Sequence, residues 1–372
     1  MKRTVSIIGT RGYPSYYGGF ETLVRRLAPY LADNGWDVSV YGRHGTTRND
    51  DPDLDNRVES IFTAGLEKRS LSTLTYGLTS SLDARKKKPD VALIMNVANG
   101  YWLPILKTAN IPTVLNVDGI EWDREKWGRA AKATFRTGAK LSARYADHLI
   151  ADSTNIADYW KLNFNRESTF IPYGGSAPQG LTAEPGLTAG KYALIVARFV
   201  PENTVAEFLD AAQILAKNWD VVIVGSSGYG GQLDERAQSL SDQNPRIKWL
   251  GHVSDDQKLF SLWQNAGAYF HGHSVGGTNP ALVQAMACGA PTVARDTVYN
   301  REVLAEAAYF VKPTVNSISS GLQNLLSSPL EQRRLGNLAL TRAQQHYTWD
   351  LVCQDYASIL EDAADRGHST RK

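Results

Sequence analysis

The sequence is short of the residues that build several kinds of protein. Of its 372 residues only two are cysteines, Cys288 and Cys353. A disulfide framework is thereby excluded, and a reduced, cytosolic setting fits. Both read as small buried apolar residues rather than nucleophiles. Neither sign of charge is in excess: 40 Lys and Arg against 38 Asp and Glu leave +2, which argues against a nucleic-acid partner. No apolar run approaches the ~20 residues of a membrane span. The run that follows Met-Lys-Arg, Val5 to Ile8, is too short for a signal peptide. Repeats and low-complexity tracts are missing as well. What remains, 42% hydrophobic and 21% charged residues, is the balance of a soluble globular chain, and the length predicts two domains.

Apolar runs alternate with helical patterns. Thr4 to Gly9 reads as a buried strand, residues 10–19 as a glycine-bearing loop, and Phe20 to Asn34 as a helix ended by Gly35. Trp36 to Tyr41 is a second strand, so the chain opens on a βαβ unit with its glycine loop at a strand's carboxyl end, where open α/β sheets bind ligands. The glycine spacing is not that of a dinucleotide site. Residues 43–60 are polar and read as loop. Further strands are expected at 90–95, 112–117, 148–152 and 168–172, with helices near 72–87, over 124–146 and from about 155. A Gly-, Pro- and Thr-rich stretch, 173–190, reads as an interdomain linker. A second alternation follows over 191–345, then a C-terminal helical segment, 346–372, expected to pack back toward the first domain. The fold class is therefore α/β: two doubly wound, Rossmann-like domains, 1–172 and 191–345, facing across a cleft.

The most informative stretch is His271 to Pro291. Asn279 suits a helix cap, Pro280 the first helical position, and Gly289 the position just past the end. Gly276, Gly277 and Thr278 precede the cap. A glycine loop feeding a helix N-terminus offers backbone N–H groups and a positive dipole end to a phosphate. A sharp loop needing glycine for backbone reasons alone is the other reading.

On a helical wheel of about 100° per residue, 127–145 separates into two stripes. Trp127, Ala131, Thr134, Gly138, Leu141 and Tyr145 share one side and are expected to pack on the sheet. Arg129, Lys132, Arg136, Lys140 and Arg144 share the other, and no acid interrupts the run from Lys126 to Arg144. This is either a solvated face or a membrane contact through Lys132, Arg136, Lys140 and Arg144, each cation adding ~1 kcal/mol at an anionic surface.

Several stretches together resemble a known family. Gly18-Gly-Phe-Glu21, Ile171-Pro-Tyr-Gly174, Val196-Ala-Arg-Phe-Val-Pro-Glu202, Gly251-His-Val-Ser254 and Gln284 through Pro291 resemble glycosyltransferase family 4, whose members have the GT-B fold. Ile8-Gly-Thr-Arg-Gly-Tyr-Pro14, Tyr17-Gly-Gly-Phe-Glu-Thr22, Asn116-Val-Asp-Gly-Ile-Glu-Trp122 and His271 through Pro280 look most like its rhamnosyltransferase-like subgroup. The resemblance implies a retaining, metal-independent enzyme without a cofactor. It would move a sugar, often L-rhamnose, from a dTDP- or UDP-linked donor to a lipid-diphosphate-linked glycan precursor. It would work in the cytoplasm, peripherally at the inner face of a bacterial membrane. A homodimer is one assembly it allows. A nucleotide-sugar epimerase of the same fold and a non-catalytic nucleotide-sugar-binding protein are the alternatives.

The resemblance also implies residue roles. Arg198 would bind the donor diphosphate, with Gly18, Gly19, Gly277, Thr278, Asn279 and Gln284 around the donor. Asp118, after a strand and before Gly119, would orient or deprotonate the acceptor hydroxyl, or simply form a turn. Tyr17, Glu121, Trp122 and Asp152 would meet the acceptor, though Asp152 equally suits a helix cap with Ser153. Tyr13 and Tyr16 could stack on sugar rings, and Asn300, Arg301 and Glu302 could face the nucleotide. The chain departs from the family at three positions. Asn203 stands where many members have lysine, and Gly276 and Gln284 stand where members have two glutamates. Glycine can do no acid, base or nucleophile work. A neutral amide at Gln284 fits a deoxyribose nucleotide, which has one hydroxyl fewer to hold. His271 and His273 lack enough companions for a metal site.

Overall fold

The computed structural model describes residues 2–16, 18–47, 50–67, 72–124 and 127–371, with only the backbone of 368–371. It divides into two compact units, 1–173 with 349–372, and 174–348. Among the described residues the first unit holds a seven-stranded parallel sheet. Its strands are β1 (Arg3–Ile8), β2 (Trp36–Gly42), β3 (Val58–Phe62), β4 (Val91–Met95), β5 (Thr113–Asn116), β6 (His148–Ala151) and β7 (Thr169–Phe170), in the order β3-β2-β1-β4-β5-β6-β7. Its helices are α1 (Gly19–Asp33), α2 (Ser72–Lys87), α3 (Leu103–Lys107), α4 (Arg129–Tyr145) and α5 (Thr154–Phe164). β4 is buried at every position, as a central parallel strand covered on both faces must be.

β3 lies in part within the 43–60 stretch expected to be loop. It pairs with β2 on one side only, and of its five residues only Val58 is fully buried. An edge strand with one buried side chain leaves little periodic signal. α4 also departs from expectation. It packs chiefly on the 3₁₀ helix Val97–Trp102 rather than on the sheet, and its fully buried residues are Gly138, Ala139 and Ser142. The glycines explain the approach. A Cβ on Gly138 would come within 2.4 Å of the Val97 carbonyl oxygen, and one on Gly100 within 2.3 Å of the Gly138 oxygen.

The second unit holds a six-stranded parallel sheet among the described residues. It comprises β8 (Tyr192–Val196), β9 (Asp220–Val224), β10 (Ile247–Trp249), β11 (Ala268–His271), β12 (Thr292–Arg295) and β13 (Ala308–Val311), in the order β10-β9-β8-β11-β12-β13. Around it run α6 (Val205–Leu215), α7 (Gln232–Gln243), α8 (Asp256–Gln264), α9 (Pro280–Ala287), α10 (Val298–Leu304), α11 (Val315–Leu326) and α12 (Pro329–His346). The stretch expected as a linker, 173–190, is not a free connection. From Gly174 on it belongs to this unit and straps across α8. Leu181 N–H donates to Gln264 (3.0 Å), Ser261 donates to the Thr182 carbonyl (2.7 Å), and Ala177 and Leu187 pack on the core.

The chain then returns to the first unit as α13 (Trp349–Arg371). Trp349, Val352, Cys353, Tyr356, Leu360, Ala363 and Ala364 recur at helical spacing and are buried in that unit's core with Leu27, Val91 and Leu93. Burial pushes both thiols, Cys288 and Cys353, up to about 12, so neither is a thiolate near neutral pH.

Candidate functional site

In each sheet the chain builds outward in one direction and then reverses: at β1 and β4 in the first unit, at β8 and β11 in the second. The loops leaving these neighbouring strands are where open α/β sheets take ligands. Arg198, the glycine loop and Asn96 lie on such loops, and Asp118 stands one strand further out, at the end of β5.

In the second unit Asn279 caps α9, its side-chain oxygen accepting from Ala281 N–H at 3.0 Å, with Pro280 in the first turn. Gly276 has φ +97° and Thr278 is buried. Arg198 leaves the end of β8 exposed. Among the described residues its guanidinium makes no hydrogen bond or ion pair. Its carbonyl accepts from the Asn203 side-chain amide (2.8 Å), and the oxygen of that amide meets His273 Nδ1 at 2.6 Å. That arrangement requires the proton on Nδ1 of His273. Asn203 therefore joins the β8 loop to the β11 loop, which accounts for an amide where a cation is expected. The loops cross closely: a Cβ on Gly272 would lie 2.3 Å from the Asn203 carbonyl oxygen.

The sequence reading missed two residues here. Arg295, at the end of β12, donates to Thr204 Oγ1 (3.0 Å), which donates to the Gly272 carbonyl (2.7 Å). A guanidinium thus reaches the residue after Asn203; its only sequence signal is its position at a strand's end. Glu202 is buried, with neither carboxylate oxygen hydrogen-bonded among the described residues. Gln284 is engaged within the unit: its amide donates to the Ser176 carbonyl (2.7 Å), and its oxygen faces Ser176 N–H at 3.4 Å. His271 is buried, and burial lowers its pKa to about 3, so it is neutral near pH 7. Asn300 is turned inward onto the carbonyls of His273 and Arg295, and Arg301 is paired with Asp296 (2.9 Å).

In the first unit Gly18 precedes α1 in extended backbone and Gly19 begins it; no side chain caps that end. Asp118 has φ +59°, a left-handed conformation more tolerable in Asp than in most residues. Two asparagines hold it. Asn116 accepts from Asp118 N–H (2.9 Å), and Asn96, itself at φ +71°, donates to the Asp118 carboxylate (3.0 Å). Asn116 also donates to Tyr356 of α13 at 2.6 Å. Asp152 is buried at the end of the neighbouring strand β6. Burial, and then the carboxylates of Asp118 and Asp152, push the Tyr173 phenol well above its ordinary range, so both carboxylates lie within electrostatic reach of Tyr173.

Other residues assigned to the acceptor are turned into the fold. Glu121 is buried, 2.6 Å from Arg124, and accepts from the Trp127 indole (2.8 Å). Trp122 is buried against Tyr159 and Phe164 and donates to Tyr159 (3.2 Å). Tyr13 is fully buried and cannot stack on a sugar. Tyr16 is exposed, its hydroxyl on Asp51 (2.7 Å) and its ring under Arg25. Tyr17 lies outside the described residues.

On α4, Arg129, Arg136, Lys140 and Arg144 are exposed and Lys132 is half-buried. Among the described residues the first three and Lys132 form no ion pair, while Arg144 lies over the Tyr145 ring. Among the described residues no helix is long and apolar enough to cross a membrane, and no three His, Cys, Asp or Glu side chains are grouped to hold a metal ion.

The fold is that of the GT-B glycosyltransferases. Sucrose-phosphate synthase from Thermosynechococcus elongatus superposes with a TM-score of 0.77 at 19% identity, covering 97% of this chain and 99% of that one. Anabaena HepE, solved in complex with UDP and glucose, superposes at 0.74 and 16% identity, covering 97% and 100%. Residues 184–342 match the family described as Glycosyl transferases group 1, and residues 2–176 match a domain of unknown function, DUF1972. A phosphatidyl-myo-inositol mannosyltransferase of Mycobacterium leprae (strain TN) is 29% identical over 231 residues, 58% of this chain. The chain spans 59% of that relative's length.

Proposed function

We propose that this chain is a retaining glycosyltransferase of cell-surface glycan synthesis, using a nucleotide-sugar donor and a lipid-diphosphate-linked acceptor. The observation that carries the reading is Arg198: an exposed guanidinium without a protein partner among the described residues, at the reversal point of a sheet whose glycine loop feeds α9. As the glycosidic bond breaks, the leaving nucleotide diphosphate gathers charge. A guanidinium fork and the N–H groups of Gly277, Thr278 and the α9 end suit those oxygens. Arg295 offers the second cation that Asn203 does not. Gly276 offers no nucleophile, which favours direct displacement on the face the diphosphate leaves. Asp118, held by Asn96 and Asn116, then orients the acceptor hydroxyl, whose proton passes to it or to a departing diphosphate oxygen.

Donor binding belongs to the second unit and acceptor binding to the first. L-Rhamnose from dTDP-rhamnose is the donor we favour, from the subgroup resemblance. The mannosyl relative and the UDP and glucose of HepE make GDP-mannose and UDP-glucose the comparators. The basic face of α4 suits an anionic cytoplasmic membrane surface where such an acceptor is anchored.

The deciding experiment supplies the full chain with each donor and a bacterial lipid extract containing polyprenyl-diphosphate glycans. Mass spectrometry is expected to find a glycolipid heavier by one deoxyhexose with dTDP-rhamnose. A product heavier by one hexose, from the comparators only, would replace the rhamnosyl assignment. Donor converted to an isomer without lipid would make the chain an epimerase, and donor bound without turnover would leave a binding protein.

A further inference from the structure

The motif Thr10-Arg-Gly-Tyr-Pro14 lies against the end of β2. A Cβ on Gly42 would come within 2.6 Å of Gly12 Cα, and one on Gly12, at φ +130°, within 2.7 Å of Thr47 Oγ1. Two glycine backbones therefore cross with no side chain between them. The crossing brings two arginines together: Arg43 N–H donates to the Arg11 carbonyl at 3.0 Å. Thr46 ties the crossing further, its hydroxyl bonding the Arg11 and Arg43 carbonyls.

The Arg43 side chain is only 8% exposed, yet among the described residues its guanidinium makes no hydrogen bond, and its Nε is fully covered without a partner. Tyr76 stacks beneath it at 4.9 Å. Its only carboxylate within ion-pair range among the described residues is Glu67, at 3.7 Å and itself 62% exposed. That is too long for a hydrogen bond and easily displaced. Burial, and next the charge of Arg11, disfavour the charged form of Arg43. Among the described residues Thr47 Oγ1, beside the crossing, is also covered and without a partner. A buried guanidinium and a buried hydroxyl are both expected to have acceptors. Glu21 lies near too, but its carboxylate already accepts from Arg11 N–H at 3.1 Å.

We propose that Arg43, with Arg11 and the Thr47 hydroxyl, forms an oxyanion subsite of the first unit that takes a phosphate group of the acceptor. A guanidinium fork and a hydroxyl together donate to several oxygens of one group, which suits a phosphate ester better than a point charge. The subsite is separate from Arg198 and the glycine loop, which are in the other unit. Assigning its phosphate to the acceptor rests on the transferase reading; the anion site itself does not.

The test uses the full chain carrying Arg198→Ala, so that the diphosphate contact of the second unit is weakened, and titrates inorganic pyrophosphate by calorimetry. Pyrophosphate is expected still to bind. Adding Arg43→Gln is expected to weaken it by about tenfold or more, and Arg43→Lys or Thr47→Val by about threefold. Thr47→Val keeps the shape, so it reads the site even if Arg43→Gln does not fold. No binding in Arg198→Ala, or equal affinity in all the variants, would overturn the site. In the otherwise native chain, Arg43→Gln is expected to weaken a short-chain polyprenyl diphosphate and leave UDP affinity unchanged. Weakened UDP instead would return the site to the donor and overturn the acceptor assignment. Should UDP fail to bind the native chain, the donor reading falls while the pyrophosphate result stands by itself.

Discussion

Gln284 occupies a place where the family resemblance leads to the expectation of a carboxylate, and its surroundings explain the amide. It donates to the Ser176 carbonyl and presents its oxygen to the N–H of the same residue. A carboxylate has no donor for that carbonyl and would set two acceptors against it. Gln284→Glu is therefore expected to destabilise the second unit by ~1 kcal/mol, read as a lower denaturant midpoint at pH 7, rather than to improve activity. An unchanged midpoint would show that the Ser176 contact does not fix the residue. Asn203 follows the same logic, being required between the Arg198 carbonyl and His273. Such contacts are invisible in a single sequence, because both partners lie far away in the chain. Glu121 and Trp122 mark the same limit from the other side. Their types suit sugar binding, but local partners, Arg124 and Tyr159, turn them inward. The places of Arg198 and Asp118 beyond strand ends were legible because the strands themselves are, and Gly119 after Asp118 marks a turn.

At the scale of elements, the α/β alternation and the cap at Asn279 follow from patterns within short windows, and the structure contains both. β3 did not, since an edge strand with one buried side chain carries little periodicity. α4 was recognisable as a helix, but its packing partner was not, because the close approach depends on Gly100 and Gly138 from separate elements. Its outer face tests a different claim. Reversing Arg136, Lys140 and Arg144 to glutamate replaces attraction to anionic lipid by repulsion, each original cation contributing ~1 kcal/mol. Co-sedimentation with phosphatidylglycerol vesicles at low salt is expected to fall by about tenfold or more for the triple variant. Equal sedimentation of the native and reversed chains would remove α4 from membrane binding.

At the scale of the molecule, two sheets of the same winding follow from two runs of alternation. The strap from Gly174 onward did not follow: its composition matches a linker, while bonds to α8 and α9 and the packing of Ala177 and Leu187 tie it to the second unit. α13 completes the first unit's core from the far end of the chain, and Tyr356 reaches Asn116 beneath Asp118. The proposed function requires the second unit to hold a nucleotide diphosphate sugar through Arg198 and the α9 loop. The direct test is the thermal midpoint of the full chain, native and Arg198→Ala, across dTDP-, UDP- and GDP-sugars. A ligand at one hundred times its Kd stabilises by ~2.7 kcal/mol. At least one donor is expected to raise the native midpoint by several degrees. Arg198→Ala is expected to keep the ligand-free midpoint and lose most of that shift. No shift with any donor, or the same shift in both chains, would contradict the claim.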